Sequence, residues 1–346
     1  MVDLFEELSF ILIIVVILLA FGLSFAIGGN DETSTPLAAV GSVSFVYVLI
    51  IGGAGLAIGT IFFSEGVASL VGSGILGEGI DYKVYMLLAV LISSILWLVV
   101  GSFAGIPLSS THSLVGSIFG VVIVYSLSVG GVDPSIALNW EKLGRVVLSW
   151  FISPVAGLLV TYGIYKLISR FFLQRHKGLT KIENSERKFV WGLLIAVFLA
   201  SMWTGANSAE ALGMIYALYD NGTILLSSYY ALVVVCGIFA FLGLFIAGRY
   251  VIRNLASQMT DTRPSDGFII QLASALILMF TTVIWSVPIS HSHVIVFCII
   301  GINVAKKNEV NYSGLGKMAL YWVITFPMAA LLAGLLYTGF ISFGLY

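Results

Sequence analysis

The segment Ile106-Pro-Leu-Ser-Ser-Thr-His112 recurs 181 residues further on as Val287-Pro-Ile-Ser-His-Ser-His293. Both copies place a proline before a cluster of hydroxyl and imidazole side chains, and both run into an apolar stretch containing glycine. Two more pairs keep the same order. Gly28-Gly-Asn-Asp31 matches Gly205-Ala-Asn-Ser208 at an offset of 177. Leu143-Gly-Arg-Val-Val-Leu-Ser-Trp150, followed by Pro154, matches Leu315-Gly-Lys-Met-Ala-Leu-Tyr-Trp322, followed by Pro327, at an offset of 172 between the tryptophans. Shared apolar composition does not explain polar residues that recur in place, so the chain reads as an internal duplication.

The surroundings of these segments are those of a membrane protein. Of 346 residues, 59% are hydrophobic and 10% charged, with a mean hydropathy of +1.07. A soluble domain carries about a quarter charged residues. The balance of 16 Lys+Arg and 17 Asp+Glu leaves no field for a polyanion, which excludes a nucleic-acid partner. Ten apolar stretches stand at 8–28, 37–63, 84–105, 112–130, 146–172, 189–207, 224–248, 267–287, 293–305 and 318–344. A spanning helix takes about 20 residues, so the ninth is short, and those of 27 residues require tilt or a break. Ten to twelve spanning elements are expected, all helical, because the short alternating segments of a barrel are absent. The first stretch lacks a basic leader and a small-residue cleavage site, and reads as a span. Cys236 and Cys298 lie inside apolar runs and suggest neither disulfide nor metal.

The polar segment Arg170–Lys188 divides the copies, giving a first repeat at 1–172, a connector at 173–188 and a second repeat at 189–346. With the connector in the cytoplasm, thirteen Lys and Arg fall inside (Arg175, Lys177 and Lys306 among them) and only Lys83, Lys142 and Arg145 outside. The fold expected is an all-α polytopic membrane protein of two inverted-topology repeats. Each has five to six transmembrane elements, with broken helices and re-entrant hairpin-like segments, and both termini are extracytoplasmic.

Polar groups at membrane depth are costly unless they serve a site. Around Asn30 and Asn207, glycines and Pro36 interrupt the helix. Unwound carbonyls with Asn and Asp oxygens suit a hard cation such as Na⁺, and a plain loop with a helix cap is the alternative. In the Pro-x-Ser segments, proline and hydroxyls fit a first helical turn, whose free N–H groups bind anions without Lys or Arg. Two such ends meeting at the midplane would cradle an anion; a satisfied cap is again the alternative. His291-x-His293 lacks a third ligand for zinc, and no nucleophile elbow supports a hydrolase, so an enzyme is not expected. Gly55 and Gly59 read as packing, Trp150 and Trp322 as interfacial anchors.

These motifs resemble the inorganic phosphate transporter (PiT) family of cation-coupled symporters, which carries Gly-Ala-Asn-Asp-x-x-Asn and Pro-x-Ser-Thr-Thr-His in each inverted half. The likeness extends over nearly the whole chain. It implies a homodimer of inverted repeats, with Ser109, Ser110, Thr111, Ser290 and Ser292 on the oxyanion and Asn30, Asp31 and Asn207 at coupling-cation or substrate sites. Na⁺ at Asn30, Asp31 and Asn207 is the metal expected, with no cofactor. Departures are visible. Ser34 and Ala211 replace the final Asn of each motif, Ser208 replaces the second Asp, His291 stands in place of Thr, and Glu32 and Glu210 are added acids. Ser208 and Glu210 thereby join the candidate cation ligands. His291 joins the substrate residues, and protons carried by Glu210 or His291 are an alternative to Na⁺.

The function implied is import of inorganic phosphate across the cell membrane by alternating access. A divalent anion entering against 100 mV climbs about 4.6 kcal/mol, so bound cations are needed to reverse the penalty. Asp31 would accept the proton of monohydrogen phosphate and repel sulfate. A sulfate or other oxyanion permease is the alternative, and an anion channel a more distant one.

Overall fold

The computed structural model describes residues 2–78, 80–128, 131–173, 178–257, 259 and 262–346, with side chains from Phe10 onward. The described residues form helices α1 (Val2–Gly29), α2 (Thr35–Val40), α3 (Phe45–Phe63), α4 (Glu65–Ser69), α5 (Val84–Ala104), α6 (Ser110–Ser128), α7 (Pro134–Ala137) and α8 (Trp140–Phe171). They continue with α9 (Leu179–Asn207), α10 (Glu210–Asp220), α11 (Leu226–Gly243), α12 (Arg249–Ala256), α13 (Pro264–Phe280), α14 (His291–Lys306) and α15 (Tyr312–Ser342). Single π-helical turns extend α4, join α11 to α12 and extend α13 to Trp285. Among the described residues, nine helices are long and apolar enough to cross a bilayer, and α14 is a shorter apolar helix. The protein is a multi-pass, all-α membrane protein.

The stretch at 37–63 is broken at Gly41, which turns the chain in the left-handed region, so α2 and α3 are separate. The stretch at 146–172 is instead one unbroken helix, α8, running through Pro154. The charged segment expected as a connector is partly helical: α9 begins at Leu179 and carries Lys181 to Lys188 as its first turns. Arg175 and Lys177 lie outside the described residues, as do 129–130 at the end of the fourth stretch. Glu186 on that extension accepts from the Ser265 N–H at 2.9 Å and its hydroxyl at 2.8 Å. A carboxylate thus caps the positive end of α13.

Apart from the short α7, the element order of α1–α8 is repeated by α9–α15, and the packing between the halves comes in matched pairs. Helix α6 lies on α15 as α14 lies on α8; α3 lies on α9 as α11 lies on α1. Glycines set these contacts. A methyl group on Gly28 would strike the Ala240 carbonyl, and one on Gly205 the Leu56 carbonyl, so only a bare backbone allows both approaches. Gly55 and Gly59 meet the backbone of Phe198 and Met202, the packing role expected of them.

Candidate functional site

Two breaks and two bends converge. Helix α1 ends at Gly29 and α2 starts at Thr35; α9 ends at Asn207 and α10 starts at Glu210. The bends follow α5 and the π turn after α13. Each opens with a left-handed residue, Gly105 at φ 68° and Ser286 at φ 50°, which are 181 positions apart. Each closes on a serine cap. The Ser109 hydroxyl accepts from the His112 N–H at 3.2 Å, and that of Ser290 from the His293 N–H at 3.3 Å. Pro107 and Pro288 therefore stand in the bends rather than in the first helical turn. The serines take the cap because a hydroxyl there satisfies a free N–H.

The asparagines of the breaks hold the bends. The Asn30 amide donates to the Leu108 carbonyl at 2.5 Å, and its oxygen accepts from the Leu108 N–H at 3.2 Å. Asn207 repeats the arrangement. Its oxygen accepts from the Ile289 N–H at 3.0 Å, and its amide donates to Val287 at 3.3 Å and to Thr282 at 3.0 Å. Both side chains, read as cation ligands, have their amides engaged with the bend backbone.

The starts of α6 and α14 meet. Thr111 donates to the Ile289 carbonyl at 3.3 Å, and Ser292 to the Leu108 carbonyl at 3.2 Å. Ser109, Ser110, Thr111, Ser290, His291 and Ser292 are all buried there. First-turn N–H groups of both helices have no intrahelical acceptor. Glu210 lies among the hydroxyls of α6, its Oε1 accepting from Ser110 at 3.0 Å and Thr111 at 2.9 Å. At α14 the neighbours are Asp31 and Glu32. His291 Nε2 lies 3.8 Å from Asp31 Oδ1 and 3.7 Å from Glu32 Oε2, while Nδ1 pairs with the Ser208 hydroxyl at 3.2 Å. The break of each half thus brings an acid to the helix start of the other half.

Several participants were not among the candidates. Glu32, noted only as an added acid, is fully buried without a hydrogen-bond partner; the nearby Ser292 hydroxyl donates to Leu108 instead. Thr33 bonds Asp31 and the Thr204 hydroxyl, and Gln271 donates to the Thr33 carbonyl. Gln271 was open to detection as a lone amide in an apolar run. Trp150 and Trp322 are not interfacial anchors. Their rings pack on His112 and His293, with centroids 3.9 and 4.2 Å apart, and Trp322 donates to the Pro107 carbonyl.

Beyond this centre a cavity of about 1200 Å³ is lined by Arg263, Asp266, Val296, Asn303, Lys306 and Lys307. Its inner end, Val296, is four residues from Ser292, roughly 6 Å along the helix. Asp266 and Lys306 form an ion pair of 2.6 Å in its wall.

Residues 78–333 match the phosphate transporter family. The chain belongs to the phosphate transporter family. That family consists of permeases, not enzymes. The chain is similar to a Bacillus subtilis (strain 168) protein named "Probable low-affinity inorganic phosphate transporter", 24% identical, covering 96% of this chain and 98% of that one. A protein of the same name from Rhizobium meliloti (strain 1021) is 28% identical over 80% of each chain. Among solved structures, the fold matches "The sodium-dependent phosphate transporter" with a TM-score of 0.83 at 20% identity, over 96% of this chain and 99% of that one. The phosphate transporter family thus accounts for both the sequence and the fold.

Proposed function

We propose that this protein imports inorganic phosphate across the cell membrane with Na⁺ by alternating access. The observation that carries the reading is the meeting of α6 and α14 through reciprocal hydroxyl–carbonyl bonds. Two helix starts with hydroxyls and free N–H groups form an anion site without Lys or Arg. Ser110, Thr111 and Ser292 would hold the oxyanion, and the unwound backbone between α1 and α2 would offer its carbonyl oxygens to Na⁺. Ser109 and Ser290 position the two helix starts as caps, and Asn30 and Asn207 hold the bends. The matched packings support two inverted repeats, divided near the start of α9, as the parts that move. Homodimer assembly is the working unit by likeness.

Glu210 favours a second reading of the coupling. Its carboxylate already accepts from two hydroxyls of the α6 start, where a phosphate oxygen would bind. Anion entry then requires that Glu210 withdraw or take up a proton, which would couple transport to H⁺.

The test is radiolabelled phosphate uptake into proteoliposomes, with sulfate and arsenate as competitors and Na⁺ exchanged for choline. Uptake should require Na⁺ and be competed by arsenate more than sulfate. Uptake insensitive to Na⁺ but driven by a pH gradient selects the Glu210 reading, and preferential competition by sulfate removes phosphate as substrate. Ser110→Trp and Ser292→Trp should each abolish uptake in protein that remains monodisperse.

A further inference from the structure

We infer that Asp31, Glu32 and His291 form a binding site for a divalent transition-metal ion, whichever anion is carried. Each contributes one donor atom, and the three atoms lie within 4.8 Å of one another. The distances from His291 Nε2 to the carboxylates, 3.7 and 3.8 Å, are too long for hydrogen bonds. Ligands sharing a tetrahedral ion at about 2.0–2.2 Å stand roughly 3.3–3.6 Å apart, so each imidazole–carboxylate pair is within a few tenths of an ångström of ligand spacing.

All three residues are buried, and each keeps a free donor atom. Asp31 Oδ2, both Glu32 oxygens and His291 Nε2 are buried without a hydrogen-bond partner. Around them the outer contacts are in place. Thr33 donates to Asp31 Oδ1 from its N–H at 3.1 Å and its hydroxyl at 2.6 Å. Ser208 engages His291 Nδ1. An Nδ1–H donated to Ser208 leaves the Nε2 lone pair facing two carboxylates, the arrangement of a metal-ligating histidine.

Charge and ligand type choose the ion. Deprotonated by an incoming cation, the two carboxylates supply two negative charges, and among the described residues no Lys or Arg is paired with either; the ion pairs of Lys and Arg are with Glu141 and Asp266. A divalent ion cancels the charge, whereas Na⁺ leaves one buried anion uncompensated. An imidazole nitrogen selects Co²⁺ or Zn²⁺ over Mg²⁺ and Na⁺, which prefer oxygen.

The test is Co²⁺ titration of the full-length protein in nanodiscs, read by its visible absorption bands and by calorimetry, with Zn²⁺ as competitor. About one Co²⁺ per chain is expected, displaced by Zn²⁺ and not by excess Mg²⁺. Glu32→Gln and His291→Gln should each weaken Co²⁺ binding by more than tenfold, and Ser208→Ala by roughly tenfold through the imidazole it orients. Should one variant fail to fold, the other two carry the test. Absence of Co²⁺ binding in monodisperse wild-type protein overturns the site, as does unchanged affinity in the folded variants. Displacement by Mg²⁺ overturns the role of the imidazole.

Discussion

The Thr111 hydroxyl stands 3.3 Å from the carbonyl of Ile289, and Ser292, its counterpart in the other half, stands 3.2 Å from Leu108. Each helix start is fastened to the bend of the opposite half, so the bends are coupled. Thr111→Val and Ser292→Ala should each lower stability by about 1 kcal/mol. Because the two bonds lie across one junction, the double variant should be non-additive. Thermal unfolding of the purified proteins measures the first effect and the double-mutant cycle the second.

Under the proposed function, Glu210 competes with phosphate for the α6 hydroxyls. Thr111 has one hydroxyl hydrogen and two acceptors within reach, Glu210 and Ile289. Glu210→Gln removes the negative charge and should lower the KM for phosphate several-fold. The same change should flatten the decline of uptake with rising pH that an ionising acid at this place produces. An unchanged KM together with an unchanged pH profile would show that Glu210 is structural only.

Loss of either asparagine latch should unfasten a bend. Asn30→Ala leaves the buried N–H and carbonyl of Leu108 without their partner, at a cost of about 2–3 kcal/mol. Asn207→Ala should behave alike, through Val287 and Ile289. Both should lose uptake, and an unaltered melting temperature in both would remove the latch assignment.

Ser286 occupies at φ 50° the place that Gly105 fills at φ 68°. A side chain in the left-handed region costs about 1 kcal/mol, so Ser286→Gly should be neutral or stabilising and Ser286→Val destabilising. Chemical denaturation of the pair gives the sign directly.

The large cavity beside α14 should open to the cytoplasm if the positive-inside reading holds. Asn303→Cys should react with a membrane-impermeant maleimide from the cytoplasmic face and not from outside. Cys236 and Cys298 are buried and should leave a low background. Labelling from outside would reverse the orientation.

Much of the architecture was legible because it rests on local chemistry. Apolar runs mark α1, α5 and α13 at sight, since the bilayer admits only backbone that satisfies itself. The duplicated Asn and Pro-x-Ser segments marked the centre, because polar groups in lipid require a reason. Roles were harder to read. Asn30 and Asp31 are adjacent and equally polar, yet the first binds a backbone 78 residues away and the second faces His291.

Sequence alone determined that this chain is a duplicated helical membrane protein with hydroxyl-bearing helix starts, for hydropathy and internal likeness are properties of the chain itself. Tertiary structure alone decided that Glu210 reaches Thr111, that Glu32 joins His291, and that Trp322 lies against His293 rather than at the interface. The first two are pairings across the halves and the third joins two helices of one half; all depend on how closely glycine-lined helices approach, and the spacing of residues along the chain carries no record of that distance.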